Sequence, residues 1–201
     1  MANLYFYHGV MGSSKSTELL TKVHKYEEQG KEVLLLKSSI DTRSEKGYIE
    51  SRTGLKHECI DICKKDDIFN IVNNLSSNNG SLSCIFVDEA NFLTKEQVEN
   101  LRNVVSLLEI DVKCYGLKNT YIDGELFEGS QALLYYADVI EEIDCTCQFC
   151  NRDAKMNLRI VNGNPTYNGD TIQIGDTEQG EEYYVPTCYY HYCNPIIDEL
   201  E

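Results

Sequence analysis

Short, nearly unbroken apolar runs alternate with amphipathic stretches through most of the chain. Leu4-Tyr5-Phe6-Tyr7, Val33-Leu34-Leu35-Leu36, Cys84-Ile85-Phe86-Val87 and Val112 to Leu117 lack the every-second-residue polarity of a half-exposed strand, so they predict strands buried on both faces. Between them, Leu19, Leu20, Val23 and Tyr26 recur at helical spacing, with Gly30 at a C-terminal cap position. Ile68, Ile71, Val72 and Leu75 line one face of a second helical segment near Asp66 to Leu75. A third, with Val98, Leu101, Val104, Val105 and Leu108 facing inward, starts at the capping-box pattern Thr94-Lys95-Glu96-Gln97. Gln131 to Ala137 predicts a short helix, Ser38 to Lys56 a mobile polar loop, and Ser76 to Ser83 a surface connection. The β-α-β-α-β alternation predicts an α/β fold with a mainly parallel sheet and helices on both faces.

From Cys145 onward the texture changes to cysteine pairs, Gly-Asn turns and short β-like runs: Met156 to Val161, Thr171 to Ile174 and Tyr183 to Val185. Two units are expected: residues 1–143, a nucleotide-binding α/β domain, and residues 144–201, a small β-rich zinc-stapled module.

The stretch between the first strand and the first helix, Gly9-Val10-Met11-Gly12-Ser13-Ser14-Lys15-Ser16-Thr17, fits G-x-x-x-x-G-K-[ST] except at Ser14, which replaces a glycine. Such a loop points backbone N–H groups inward and adds the positive end of a helix, while Lys15 reaches the β- and γ-phosphates and the Ser16 hydroxyl meets magnesium. Holding Ser14 in the left-handed conformation costs roughly 1–2 kcal/mol. Asp88-Glu89 closes an apolar strand, the position from which a phosphate-loop protein reaches its magnesium: Asp88 toward the ion, Glu89 toward the proton of an attacking hydroxyl. Arg43 and Arg52 in the polar loop are further candidates for phosphate oxygens.

The cysteines add a second chemistry. Cys147-x-x-Cys150 and Cys188-x-x-His191 supply four ligands at zinc-knuckle spacing, with Cys145 and Cys193 able to replace one member. Cys84 and Cys114 fall inside strands and read as buried thiols; His57, Cys59 and Cys63 are a weaker candidate for a second metal site.

Composition narrows the partners. With 18 Lys and Arg against 33 Asp and Glu, the net charge of −15 leaves no broad basic surface for nucleic acid. No apolar run approaches the roughly 18 residues of a membrane span. Met1 leads almost directly into the first strand, so no secretory leader is expected, and nine cysteines without one suit a reducing compartment, the cytoplasm.

Taken in order, these motifs resemble the thymidine kinases of the small zinc-containing type, over nearly the whole chain. The resemblance rests on the loop and Lys15-Ser16-Thr17-Glu18-Leu19-Leu20, Ile40-Asp41-Thr42-Arg43, Ser51-Arg52-Thr53-Gly54-Leu55 and Val87-Asp88-Glu89-Ala90-Asn91-Phe92-Leu93. It continues through Cys114-Tyr115-Gly116-Leu117, Gly124 to Ser130, the cysteine pairs and Ile174-Gly175. It implies transfer of the γ-phosphoryl group of ATP to the 5′-hydroxyl of thymidine or deoxyuridine. Glu89 would be the general base, Lys15 and Arg43 the phosphate-stabilising cations, and Ser16 and Asp88 the magnesium contacts. ATP would lie along Gly9 to Thr17 and Asp88 to Asn91. The resemblance also implies that the base is held by a lasso-like segment, Thr171, Ile172, Gln173, Ile174 and Gly175 with Tyr184, and by Tyr121 and Phe127. It implies a homotetramer inhibited by the triphosphate end product. The chain departs from the family pattern at Ser14, at Asn91 where glutamine is usual, at Lys118 and Ile122, and in a lasso lengthened at Glu178 to Glu182. These departures leave a catalytically weakened nucleotide-binding regulator of the same fold as the alternative.

Overall fold

A computed structural model describes residues 1–79, 82–169 and 181–196. Its order is β1 (Leu4–His8), α1 (Lys15–Glu28), β2 (Val33–Ser38), β3 (Tyr48–Glu50), β4 (Lys56–Glu58), β5 (Ile60–Ile62), α2 (Ile68–Asn79) and β6 (Cys84–Asp88). A 3₁₀ turn, Ala90–Phe92, leads to α3 (Lys95–Asn103), which runs into a π-helical turn, Val104–Leu108. Then come β7 (Asp111–Gly116), α4 (Glu128–Tyr136), β8 (Val139–Glu142), β9 (Met156–Val161), β10 (Asn164–Thr166), β11 (Glu182–Thr187) and α5 (Tyr189–Cys193).

Six strands form one sheet in the order β5-β2-β6-β7-β1-β8, and every pairing in it is parallel. Side chains alternate across it. Phe6, Leu36, Ile85, Val87, Val112 and Cys114 pack toward α2, α3 and α4. Tyr7, Leu35, Cys84, Phe86 and Tyr115 pack toward Leu19, Leu20 and Val23 of α1. Burial on both sides is why the central runs are apolar without interruption, and β6 is buried at all five positions.

Local chemistry sets the helix ends. Thr94 accepts from the backbone N–H of Gln97, whose side chain accepts from the Thr94 N–H, closing the capping box ahead of α3. α4 approaches the 3₁₀ turn closely because Gly129 carries no side chain: a Cβ there would lie 2.4 Å from the Ala90 carbonyl oxygen and 2.8 Å from that of Leu93.

Several elements differ from expectation. The segment Ser38 to Lys56, expected as a polar loop, contains strand β3 of an antiparallel β3–β4 hairpin, and its Ile49 is fully buried against the α1 face of the sheet. Helix α2 continues through Ser76 and Ser77 instead of breaking there, with the Ser77 hydroxyl donating to the Asn73 carbonyl at 2.8 Å. The edge strands β5 and β8, with β10 and α5, are too short or too exposed to leave an apolar period. β9, β10 and β11 form a separate three-stranded antiparallel sheet around Leu158, Ile160, Tyr183, Val185 and Tyr192.

Gly129→Ala should force α4 off the 3₁₀ turn and cost about 1–3 kcal/mol. Urea unfolding measures it, and a variant as stable as the parent would show that the two elements have slack.

Candidate active site

The loop Gly9 to Ser14 joins the C-terminal end of β1 to α1, and Asp88 ends β6, so both lie at the same edge of the parallel sheet. β1 and β6 are not neighbours; β7 lies between them. Asp88 shares its strand face with Cys84 and Phe86, which pack toward α1. From the first turn of α1, the Ser16 hydroxyl donates to Asp88 Oδ2 at 3.0 Å. A hydroxyl and a carboxylate oxygen at that separation on a cleft wall are the hard donors that magnesium takes.

Ser14 sits at φ 63°, the left-handed conformation that its missing glycine would have supplied freely. Lys15 is buried, and its Nζ donates to the carbonyls of Val10 at 2.7 Å and Gly9 at 3.3 Å, with Ser13 Oγ at 3.5 Å. Burial pulls its pKa down to about 8 against the opposing pull of Glu89 and Asp88. Burial, reinforced by the charge of Glu89, holds the Asp88 carboxyl above the usual carboxylate range.

Glu89 would face away from Asp88 if the strand continued. Its backbone turns instead to φ 50°, a left-handed strain typical of functional positions. The Glu89 carboxylate accepts from the Arg43 guanidinium, whose Nε also donates to Asp41 Oδ1 at 2.7 Å. Glu89 first, with Asp41, holds the Arg43 pKa far above its ordinary value. Met11, Gly12, Ser14, Lys15, Ser16 and Thr17 line one cleft of ≈ 300 Å³ together with Arg43, Asp88 and Glu89. The β3–β4 hairpin adds Ser51, Arg52 and Thr53 to the same wall.

Other candidate residues lie elsewhere. Gly9, Val10 and Ser13 of the loop do not line the cleft and contact the lysine through the Gly9 and Val10 carbonyls and the Ser13 hydroxyl. Ala90 and Asn91 are buried in the 3₁₀ turn and do not line the cleft; Asn91 Oδ1 accepts from the Leu117 N–H at 3.0 Å. Tyr121, Phe127 and Tyr184 form one cluster with Met11 and Leu117, two residues that also line the cleft. Tyr121 and Tyr184 meet edge to face at 6.0 Å, and Arg159 donates to the Tyr121 hydroxyl at 3.2 Å. Thr171, Ile172, Gln173, Ile174 and Gly175 lie outside the described residues.

Asn157 was not legible as a site residue. From β9 its Oδ1 accepts the Met11 N–H at 2.8 Å and its Nδ2 donates to the Asn119 carbonyl at 3.4 Å, tying the phosphate loop to the C-terminal sheet. A single asparagine in a strand carries no motif, and only the long-range packing reveals it.

Cys147, Cys150, Cys188 and His191 bring their ligand atoms within 4.8 Å of one another. Cys150 and Cys188 sulfurs are 3.9 Å apart, and His191 Nδ1 lies 3.4 and 3.5 Å from the sulfurs of Cys147 and Cys188. Tetrahedral zinc with bonds of about 2.3 Å to sulfur and 2.0 Å to nitrogen requires edges of roughly 3.8 and 3.5 Å, so this donor set fits the ion. Cys145 and Cys193 stand outside the cluster, and His57, Cys59 and Cys63 form no second one among the described residues. His57 instead contacts Glu27 at 2.9 Å.

Fold and site together define a phosphate-loop nucleotide-binding α/β protein with an appended Cys₃His module. A thymidine kinase family model matches residues 2–192. Thymidine kinases of Streptococcus agalactiae serotype Ia and Streptococcus pyogenes serotype M3 are each 45% identical over 197 residues, covering 98% of this chain and 100% of theirs. The chain belongs to the thymidine kinase family. A looser likeness joins 71% of the chain to 36% of the Pif1 helicase from Candida albicans, at a TM-score of 0.42 and 12% identity.

Ser14→Gly should relieve the left-handed strain and, after the larger entropy of an unfolded glycine, raise stability by about 0.5–1 kcal/mol. Urea unfolding checks this, and a destabilised variant would show that the serine side chain holds the loop. Zinc analysis should find about one ion per chain and nearly none in Cys188→Ser; retention by the variant would reassign the ligand.

Proposed function

We propose that the protein is a thymidine kinase that transfers the γ-phosphoryl group of ATP to the 5′-hydroxyl of thymidine, and also accepts deoxyuridine. The observation that carries this reading is one cleft holding Lys15, Arg43, Glu89 and the Ser16–Asp88 pair, joined through Met11 and Leu117 to the aromatic cluster. These five residues serve phosphoryl transfer; the cluster, buried beside the cleft, is assigned as the wall against which a flat base packs.

Glu89 takes the proton of the 5′-hydroxyl as its oxygen bonds to the γ-phosphorus and the bond to the β-phosphate oxygen breaks. Lys15 and Arg43 offset the charge that gathers on the transferred group and on the ADP leaving group. For Lys15 this means exchanging its carbonyl contacts for phosphate oxygens. Arg43 already ties Glu89 to Asp41, so base and cation are set in one geometry before substrate arrives. Ser16 and Asp88 would hold magnesium, which neutralises phosphate charge when bound. Cys147, Cys150, Cys188 and His191 would hold a structural zinc that secures the nucleoside-binding side. Tyr121, Phe127 and Tyr184 are assigned to the base, with residues 171–175 as the lasso.

In the same reading residues 1–143 form the nucleotide-binding domain and 144–201 the zinc-binding lasso domain. The protein acts as a homotetramer in the cytoplasm and binds no nucleic acid. A net charge of −15 and nine cysteines support the last two assignments.

Glu89→Gln should lower kcat by about 100-fold or more with the KM for thymidine little changed, the signature of a lost general base. Steady-state kinetics on ATP and thymidine decide it, and full turnover by the variant would remove Glu89 from this role.

A further inference from the structure

Lys37 is a fully buried lysine in the second-last position of β2, where the preceding residues Leu35 and Leu36 are apolar core. Its register partners are Asp61 on β5 and Asp88 on β6. An ammonium group in such a place is unfavourable unless its donors are all used. They are. Nζ donates to Ser44 Oγ at 2.7 Å and to the Tyr48 carbonyl at 2.8 Å, with the Glu45 carbonyl at 3.4 Å and Asp61 Oδ1 at 3.8 Å. The other Asp61 oxygen accepts from the Gly47 N–H at 2.8 Å, and Ser44 Oγ donates to the Tyr48 carbonyl at 2.9 Å.

Every one of these contacts except Asp61 itself falls on the segment between β2 and β3 or on Tyr48, the first residue of β3, and that segment carries Asp41 and Arg43. Arg43 is about a third exposed (34%), so core packing does not set its direction. Its aim depends on Asp41, on Glu89 and on where the backbone is held at the next residue, Ser44. The Lys37 ammonium holds the Ser44 side chain and the Glu45 and Tyr48 carbonyls.

We propose that Lys37 is a positioning residue for phosphoryl transfer: with Asp61 it staples residues 44–48 to the end of β2 and so aims Arg43 at Glu89 and the phosphate cleft. The inference rests on the reading of Arg43 as a phosphate-stabilising cation. It assigns a catalytic consequence to an ion pair that does not line the cleft.

A double-mutant cycle on the full chain tests it. Lys37→Met with Asp61→Asn removes both buried charges, and the new amide can still accept from the Gly47 N–H. This pair should lower kcat for ATP-dependent thymidine phosphorylation about ten-fold at an unchanged KM for thymidine, the scale expected of a misplaced group. In an Arg43→Ala background, itself slower by about 100-fold, the same pair should cost less than about two-fold. Equal losses in both backgrounds, or a full-rate pair in the native background, would overturn the positioning role. A full-rate Arg43→Ala would instead refute the reading of Arg43 and the inference with it. Should the pair fail to fold, Ser44→Ala, which removes one Lys37 acceptor, takes its place in the same cycle, with non-additivity again expected and additivity again decisive against it.

Discussion

The Ser16 hydroxyl and the Asp88 carboxylate meet at 3.0 Å across two strands that do not touch each other. That contact depends on α1 leaving β1 and packing across β7 and β6, so that its first turn reaches the end of the acidic strand. Lys15 and Glu89 are the immediate chain neighbours of the two bonded residues and line the same cleft, Glu89 because its backbone turns left-handed. The crowding this creates is visible at the end of β7, where Gly116 lies against the Asn91 backbone and side chain: a Cβ there would come within 2.7 Å of Asn91 Oδ1. A parallel sheet buried on both faces supplies the rigidity, because its register cannot slip without exposing an entire apolar face.

Two non-glycine residues flanking the cleft, Ser14 and Glu89, hold left-handed backbone. Each conformation costs on the order of 1–2 kcal/mol, a load that the doubly covered sheet can carry. The two strains differ in meaning. At Glu89 the turn redirects a carboxylate into the cleft, where the proposed chemistry uses it. At Ser14 the loop needs the conformation and the serine merely tolerates it.

What could be read from the chain depended on how local its cause was. The phosphate loop, the capping box at Thr94 and each of the two Cys/His pairs that meet in the Cys₃His cluster are written within a few residues, and all were legible. Buried strands were legible because two-sided burial leaves an unbroken apolar run. The β3–β4 hairpin was hidden by its polar composition, since only Ile49 enters the core. Strands β5 and β8 are too short or exposed to leave a pattern. Asn157 and Lys37 were invisible for a different reason: each is a single polar residue whose partners lie far along the chain or in a loop without periodicity. The left-handed turn at Glu89 has no sequence signature either, because glutamate ordinarily avoids it.

The C-terminal sheet meets the α/β part at two points. It brings Tyr184 against Tyr121, and through Asn157 it takes one N–H of the phosphate loop. Cys188 and His191 of the Cys₃His cluster follow β11 directly, so a zinc ion held there would anchor the strand that carries Tyr184. In the proposed reading ATP and the nucleoside meet at the cleft, with direct transfer between them. Incubating the purified protein with ATP labelled at the γ-phosphorus, magnesium and thymidine tests it most directly. Label appearing in thymidine 5′-monophosphate at the rate of ADP formation is the expected result; ADP formation with the label released only as inorganic phosphate would contradict it.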